Sequence, residues 1–72
     1  MPMVEKIVEL SGTSTSSIED AVELAISRAS VTLAGIREAT VTQATAQVEN
    51  GKICGWKVTV KVRFAIQDQV HE

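Results

Sequence analysis

The sequence predicts an α+β fold of order β-α-β-β, in which a three-stranded antiparallel sheet wraps around one helix. Three observations lead to it. From Trp56 onward, Trp56, Val58, Val60, Val62, Phe64 and Ile66 fall on one face while Lys57, Thr59, Lys61, Arg63 and Ala65 fall on the other, the two-residue period of a strand. Ile18, Ala21, Val22, Ala25, Ile26 and Ala29, with Leu33 a turn further on, recur at three- and four-residue spacing, as on a helix buried along one side. Asn50-Gly51 between two strand-like runs is the strongest short hairpin signal, a type I′ turn.

The elements follow in chain order. Met3 to Leu10 is rich in Val and Ile and reads as a first strand ending at Ser11-Gly12, with Val4, Lys6, Val8 and Leu10 on one face. The polar stretch Gly12 to Ser17 lacks the glycine spacing and the lysine of a phosphate-cradling loop. It reads instead as a helix start, with Ser16 and Glu19 as a capping box and Glu19 and Asp20 at the positive end of the helix dipole. The helix is expected from about Ser17 to Leu33, stopped by Gly35. Its outer side carries Glu19, Glu23, Ser27 and Ser30, and Glu23 with Ser27 and Arg28 reads as a solvated face rather than a ligand rim.

Ile36 to Glu49 reads as the second strand. Its apolar residues change phase, Ala39 and Val41 on one parity and Ala44, Ala46 and Val48 on the other, and a bulge near Thr42 and Gln43 reconciles them. Gly55 marks a second candidate bulge in the last strand, Lys52 to Ile66. Residues 1–72 are read as one domain with a fraying tail from about residue 67.

Size and charge narrow the function. A domain of 72 residues buries only about 60% of its unfolded surface and normally needs a further source of stability. With one cysteine, Cys54, there is no disulfide within the chain, and with one histidine, His71, there is no zinc cluster. Association with further copies is the remedy left. A net charge of −2 without a basic cluster argues against nucleic acid, the more so because Glu5 and Glu9 can lie opposite Lys57, Lys61 and Arg63. No apolar run approaches a membrane span and no signal core opens the sequence, so a soluble cytoplasmic protein is expected. Neither Cys54 nor His71 has an activating partner in the pattern, so the chain does not read as an enzyme.

The ordered set VELSGTSTSSIEDAVELAISRASVTL, the Ile36-Arg37 pair, VENGK and WKVTVKVRF resembles the dodecin family over Val4 to Phe64 without a gap. The resemblance implies twelve copies assembled into a hollow sphere. It also implies flavin, riboflavin or FMN, as the family ligand, bound in pairs between subunits for storage or buffering.

Carried over residue by residue, that flavin site is altered. The tryptophan that stacks the flavin ring in flavin-binding dodecins falls at Glu38, which offers no π-face. The glutamine that hydrogen-bonds the pyrimidine edge falls at Lys57, a donor without an acceptor. The basic residue that meets the FMN phosphate in some members falls at Ala65, with Arg63 two residues back on the same face as a substitute. Trp56 corresponds to an aromatic residue that precedes the glutamine, and its parity makes it core or interface rather than the ring platform.

Glu38, Thr45, Lys57, Arg63 and Ala65 are thus the candidate lining of the altered pocket, and the chain resembles the branch of dodecins that lacks the stacking tryptophan. Two further readings of Glu38 follow. It pairs across strands with Lys57 as an ordinary salt bridge, the commoner arrangement, or it joins a symmetry copy in holding a divalent cation such as calcium. A shell that binds another small anion through Lys57, Lys61 and Arg63 is the remaining alternative.

Overall fold

A computed structural model describes residues 4–66. The expected tail and His71 lie outside them. The elements are β1 (Glu5–Ser14), α1 (Ile18–Ala29), β2 (Ile36–Glu49) and β3 (Lys52–Ala65). They form one antiparallel sheet in the order β1-β3-β2, so the alternating last strand is central and both its neighbours are edges.

The helix-side face of β3 is the centre of the core. Val58, Val60 and Val62 are completely buried, and with Ala21 and Ala25 they form a cluster against which Val8, Leu10, Ile18, Val22, Ile36 and Ala39 pack. Trp56 and Phe64, which flank the three valines on the same face, are half-buried, and Ile66 is exposed. The helix buries Ala21, Ala25 and Ala29, the small residues of its predicted stripe. It lies across β1 and β3 and scarcely touches β2.

Gly12 explains how the helix comes so close, and it corrects the sequence reading. Instead of a turn at Ser11-Gly12, β1 continues to Ser14, and Gly12 pairs with Val58 directly beneath the helix. A Cβ at Gly12 would stand 2.5 Å from the carbonyl oxygen of Ala21 and 3.2 Å from the Cβ of Ala25. The glycine is there for close packing, and the local turn chemistry of Gly-Thr-Ser is overridden by that contact.

The helix starts one residue later than expected. Ser17, not Ser16, is the N-cap, its hydroxyl accepting from the Asp20 amide at 3.0 Å. Asp20 in turn accepts from the Ser14 hydroxyl at 2.7 Å, which ties the end of β1 to the first helical turn. The helix also ends at Ala29, short of Leu33. The Ser30 hydroxyl donates to the Ile26 and Ser27 carbonyls, a local competitor to helix continuation. Val31 and Thr32, both β-branched, follow, and Gly35 with φ 75° turns the chain into β2 several residues past the helix.

The long hairpin forms as read. Asn50 and Gly51 have φ of 53° and 76°, the left-handed pair of a type I′ turn, and Glu49 pairs with Lys52. Register shifts between Val41 and Gln43 leave Thr42 as the bulged residue, so Ala39 and Val41 before it and Ala44 and Ala46 after it share the helix side. A further shift leaves Cys54 unpaired beside Gly55, and a third leaves Arg37 unpaired at the start of β2.

Candidate ligand-binding site

All five candidate residues lie on the sheet face turned away from the helix. That follows from register: Glu38 is opposite Arg63, Thr45 is opposite Lys57, and Ala65 is opposite Glu5. The structure gathers them into two places rather than one. Glu38, Arg63 and Ala65 sit where β2 begins and β3 ends, while Thr45 and Lys57 sit six residues along β3, about 20 Å away at the rise of a strand.

At the first place one guanidinium links all three strands. Arg63 on the central strand donates through Nη1 to Oε2 of Glu38 on β2, and its Nε lies 3.4 Å from Oε1 of Glu5 on β1. The three side chains are 33–55% exposed, so the attraction between them is largely screened by water. The expected pairing of Glu38 with Lys57 does not occur. Lys57 stands between Thr13 and Thr45 instead. Glu9 is opposite Lys61, so Glu5 and Glu9 do face the basic side of β3.

The signal that places Glu38 was present in the sequence. Glu38 lies eleven residues before Glu49 and Arg63 eleven residues after Lys52, so counting outward from the two-residue turn makes them opposite. The bulges at Thr42 and Cys54 sit on different strands and cancel, leaving that count intact. Glu5 was visible only as one of two carboxylates facing the basic side. Its partner follows from the β1 register.

The titratable groups on this face are carboxylates, lysines and one guanidinium. Among the described residues there is no imidazole, and the one thiol, Cys54, is exposed at its bulge. Also among the described residues, no group of three or more His, Cys, Asp or Glu side chains is close enough to hold one metal ion. Any cation on Glu38 would therefore need oxygens beyond this chain's carboxylates, from carbonyl or hydroxyl groups, water or another chain. A shallow hollow lined by Ile7, Thr40, Thr42, Lys61 and Arg63 adjoins the ion pair. No helix among the described residues is long and apolar enough to cross a membrane.

The fold is a small β-α-β-β unit, one helix on a three-stranded antiparallel sheet whose other face is open and carries mostly charged and hydroxyl side chains. The family model of the dodecins matches residues 4–67, and the chain belongs to the dodecin family, whose members are non-enzymatic binding proteins. Solved structures agree. The dodecin from Streptomyces davaonensis is 29% identical with a TM-score of 0.86, over 94% of this chain and all of that one. The dodecin from Streptomyces coelicolor is 33% identical with a TM-score of 0.85, over 93% of this chain and 96% of that one. A calcium-chelating antigen from Mycobacterium tuberculosis, described as a calcium dodecin, is 30% identical with a TM-score of 0.76, over 96% of this chain and 99% of that one. Among curated protein sequences none matches.

Proposed function

We propose that this protein is a homododecameric small-ligand-binding shell of the dodecin type in which the flavin site has been converted, so that riboflavin and FMN bind weakly or not at all. The observation that carries the reading is the Glu38–Arg63 ion pair. At the position where flavin-binding dodecins stack a tryptophan on the ring, this chain has a carboxylate engaged by a guanidinium across the hairpin. Stacking on an aromatic platform is worth about 1–3 kcal/mol per ring, by analogy with nucleic-acid bases, and a carboxylate contributes none of it. Arg63, the substitute partner for an FMN phosphate, already faces two carboxylates.

Self-association is supported by the size of the core. Among the described residues the buried hydrophobic side chains are only Ala21, Ala25, Ala29, Val58, Val60 and Val62, while Ile7, Leu24, Val31, Val41, Val48 and Ile53 are each more than two-fifths exposed. A chain that covers so little of its apolar surface alone is stabilised by covering more of it with copies of itself.

The test is a fluorescence titration of riboflavin and FMN with the wild type and with Glu38→Trp. A silent wild type beside a quenching variant supports the conversion, and quenching by the wild type would sink it. A second reading, a cation shell, draws on the two carboxylates around Arg63 and on the calcium dodecin among the similar structures. Calorimetric titration with calcium separates it from an anion-binding shell, in which Lys57 and Lys61, free of carboxylate partners within ion-pair range among the described residues, would carry the ligand.

A further inference from the structure

Asn50 is the single asparagine of the sequence, and the residue after it is Gly51. Both are exposed at the tip of the hairpin, and nothing lies within 4 Å of a Cβ built on Gly51. Gly51 thus brings no side chain of its own to the turn, and nothing packs over the place where one would stand. An asparagine side chain carries an amide one carbon from its own backbone, so the nitrogen of the next residue can attack Cγ and close a succinimide ring. Rotation about the Asn50 Cα–C bond decides whether it reaches.

The observed turn stands one step from the reactive geometry. With φ of 53° at Asn50 and 76° at Gly51 the turn is type I′. The first central residue of that turn has ψ of about +30°, which points the following nitrogen away from the side chain. A type II′ turn keeps the same φ there but has ψ of about −120°, which brings that nitrogen alongside Cβ with Cγ in reach. The two turns differ by a flip of the one peptide plane between Asn50 and Gly51. The flip takes φ of Gly51 from positive to negative, a change that glycine makes without steric penalty. Both types close a two-residue hairpin, so Glu49 stays opposite Lys52 throughout.

We propose that Asn50 is a site of spontaneous covalent modification in the folded protein, reached through that flip. The Gly51 nitrogen bonds to Cγ of Asn50, the bond from Cγ to the side-chain nitrogen breaks, and the Gly51 amide proton leaves with that nitrogen as ammonia. Water then opens the cyclic imide. Cleavage at Cγ restores the ordinary backbone with aspartate at position 50. Cleavage at the main-chain carbonyl carbon leaves isoaspartate, in which the backbone runs through Cβ and Cγ. Nothing is oxidised or reduced. The two products differ in what they do to the hairpin. Asp-Gly is itself a type I′ sequence, so aspartate keeps the turn. Isoaspartate lengthens the two-residue loop by a backbone atom, and the Glu49–Lys52 and Val48–Ile53 pairs beside it lose the spacing that the turn gives them.

The test holds folded wild type and folded Asn50→Gln at mildly alkaline pH, where hydroxide takes the Gly51 proton, and maps their peptides by mass spectrometry. The glutamine variant keeps Gly51 but needs a larger ring. It should hold its amide while the wild type converts to acid at position 50, as a mixture of aspartate and isoaspartate. A wild type that keeps its amide as long as Asn50→Gln does overturns the site. Conversion only after unfolding in urea overturns the route through the closed hairpin. Freshly purified Asn50→Asp supplies the aspartate product alone. The aged wild type should contain a population whose Lys52 amide exchanges hydrogen faster than in Asn50→Asp, and identical exchange in the two would overturn the effect on the turn.

Discussion

Glu38 on β2 and Arg63 on β3 are opposite each other across the hairpin, and their side chains form an ion pair on the open face of the sheet. The pair holds the start of β2 against the end of β3, and through Glu5 the same guanidinium reaches β1. Because Glu38 and Arg63 are about half exposed, their coupling is expected to be small, below about 1 kcal/mol, and to fall as salt rises. A double-mutant cycle of Glu38→Ala and Arg63→Ala, read by denaturant unfolding, should show that coupling. The same cycle with Lys57→Ala should be additive, since Lys57 faces Thr13 and Thr45 instead.

Ser17 and Ser16 give a second discriminating pair. The Ser17 hydroxyl accepts from the Asp20 amide, whereas the Ser16 amide donates to the Ser14 hydroxyl in an exposed turn. Ser17→Ala should cost about 1 kcal/mol, the usual value of an N-cap, and Ser16→Ala should change thermal stability little. Equal losses at the two positions would contradict the assigned cap.

How much of this was legible in the sequence depends on whether the signal is local. Alternation in β3, the alanine stripe of α1 and the Asn50-Gly51 turn are local patterns, and each element appears where those patterns put it. Gly12 misled because its local neighbours favour a turn while its reason lies in Ala21 and Ala25, in the next element of the chain. The helix end misled because apolar periodicity runs on to Leu33, but Ser30 back-bonding and the Val31-Thr32 pair stop the helix earlier. The Glu38–Lys57 expectation failed for a different reason. Both residues were placed on the right face, and only the register, which the turn already defined, was left uncounted.

Val60 and Val62 sit at the centre of the core with no exposed surface. Val60→Asp or Val62→Lys would place an unpaired charge among valines and alanines, where no polar partner is within reach, and the cost of a buried ion exceeds the whole stability of a small domain. Loss of the folded circular dichroism signal is expected for both. Val41→Asp, at a position 44% exposed on the neighbouring strand, should leave the subunit fold intact.

Gly12 and Gly51 separate two reasons for glycine. At Gly51 there is nothing within 4 Å of an added Cβ, so Gly51→Ala is opposed only by φ of 76°, a left-handed conformation that costs an L-residue roughly 1–2 kcal/mol. At Gly12 the backbone φ is ordinary, but the added methyl would meet the Ala21 carbonyl oxygen at 2.5 Å, closer than real Cβ atoms come to anything. The helix must then move off the sheet, opening space beside Val58 and Val60, and overpacking of this kind costs about 1–3 kcal/mol. Thermal unfolding of Gly12→Ala should show that loss. A compensating change should separate the mechanism from a backbone effect: Ala25→Gly removes the second close contact, so in the Gly12→Ala background it should recover part of the loss, whereas in the wild type it should only destabilise the helix, by about 1 kcal/mol. If Ala25→Gly is equally harmful in both backgrounds, the Ala25 methyl takes no part in the clash and the Ala21 carbonyl contact alone makes glycine necessary there.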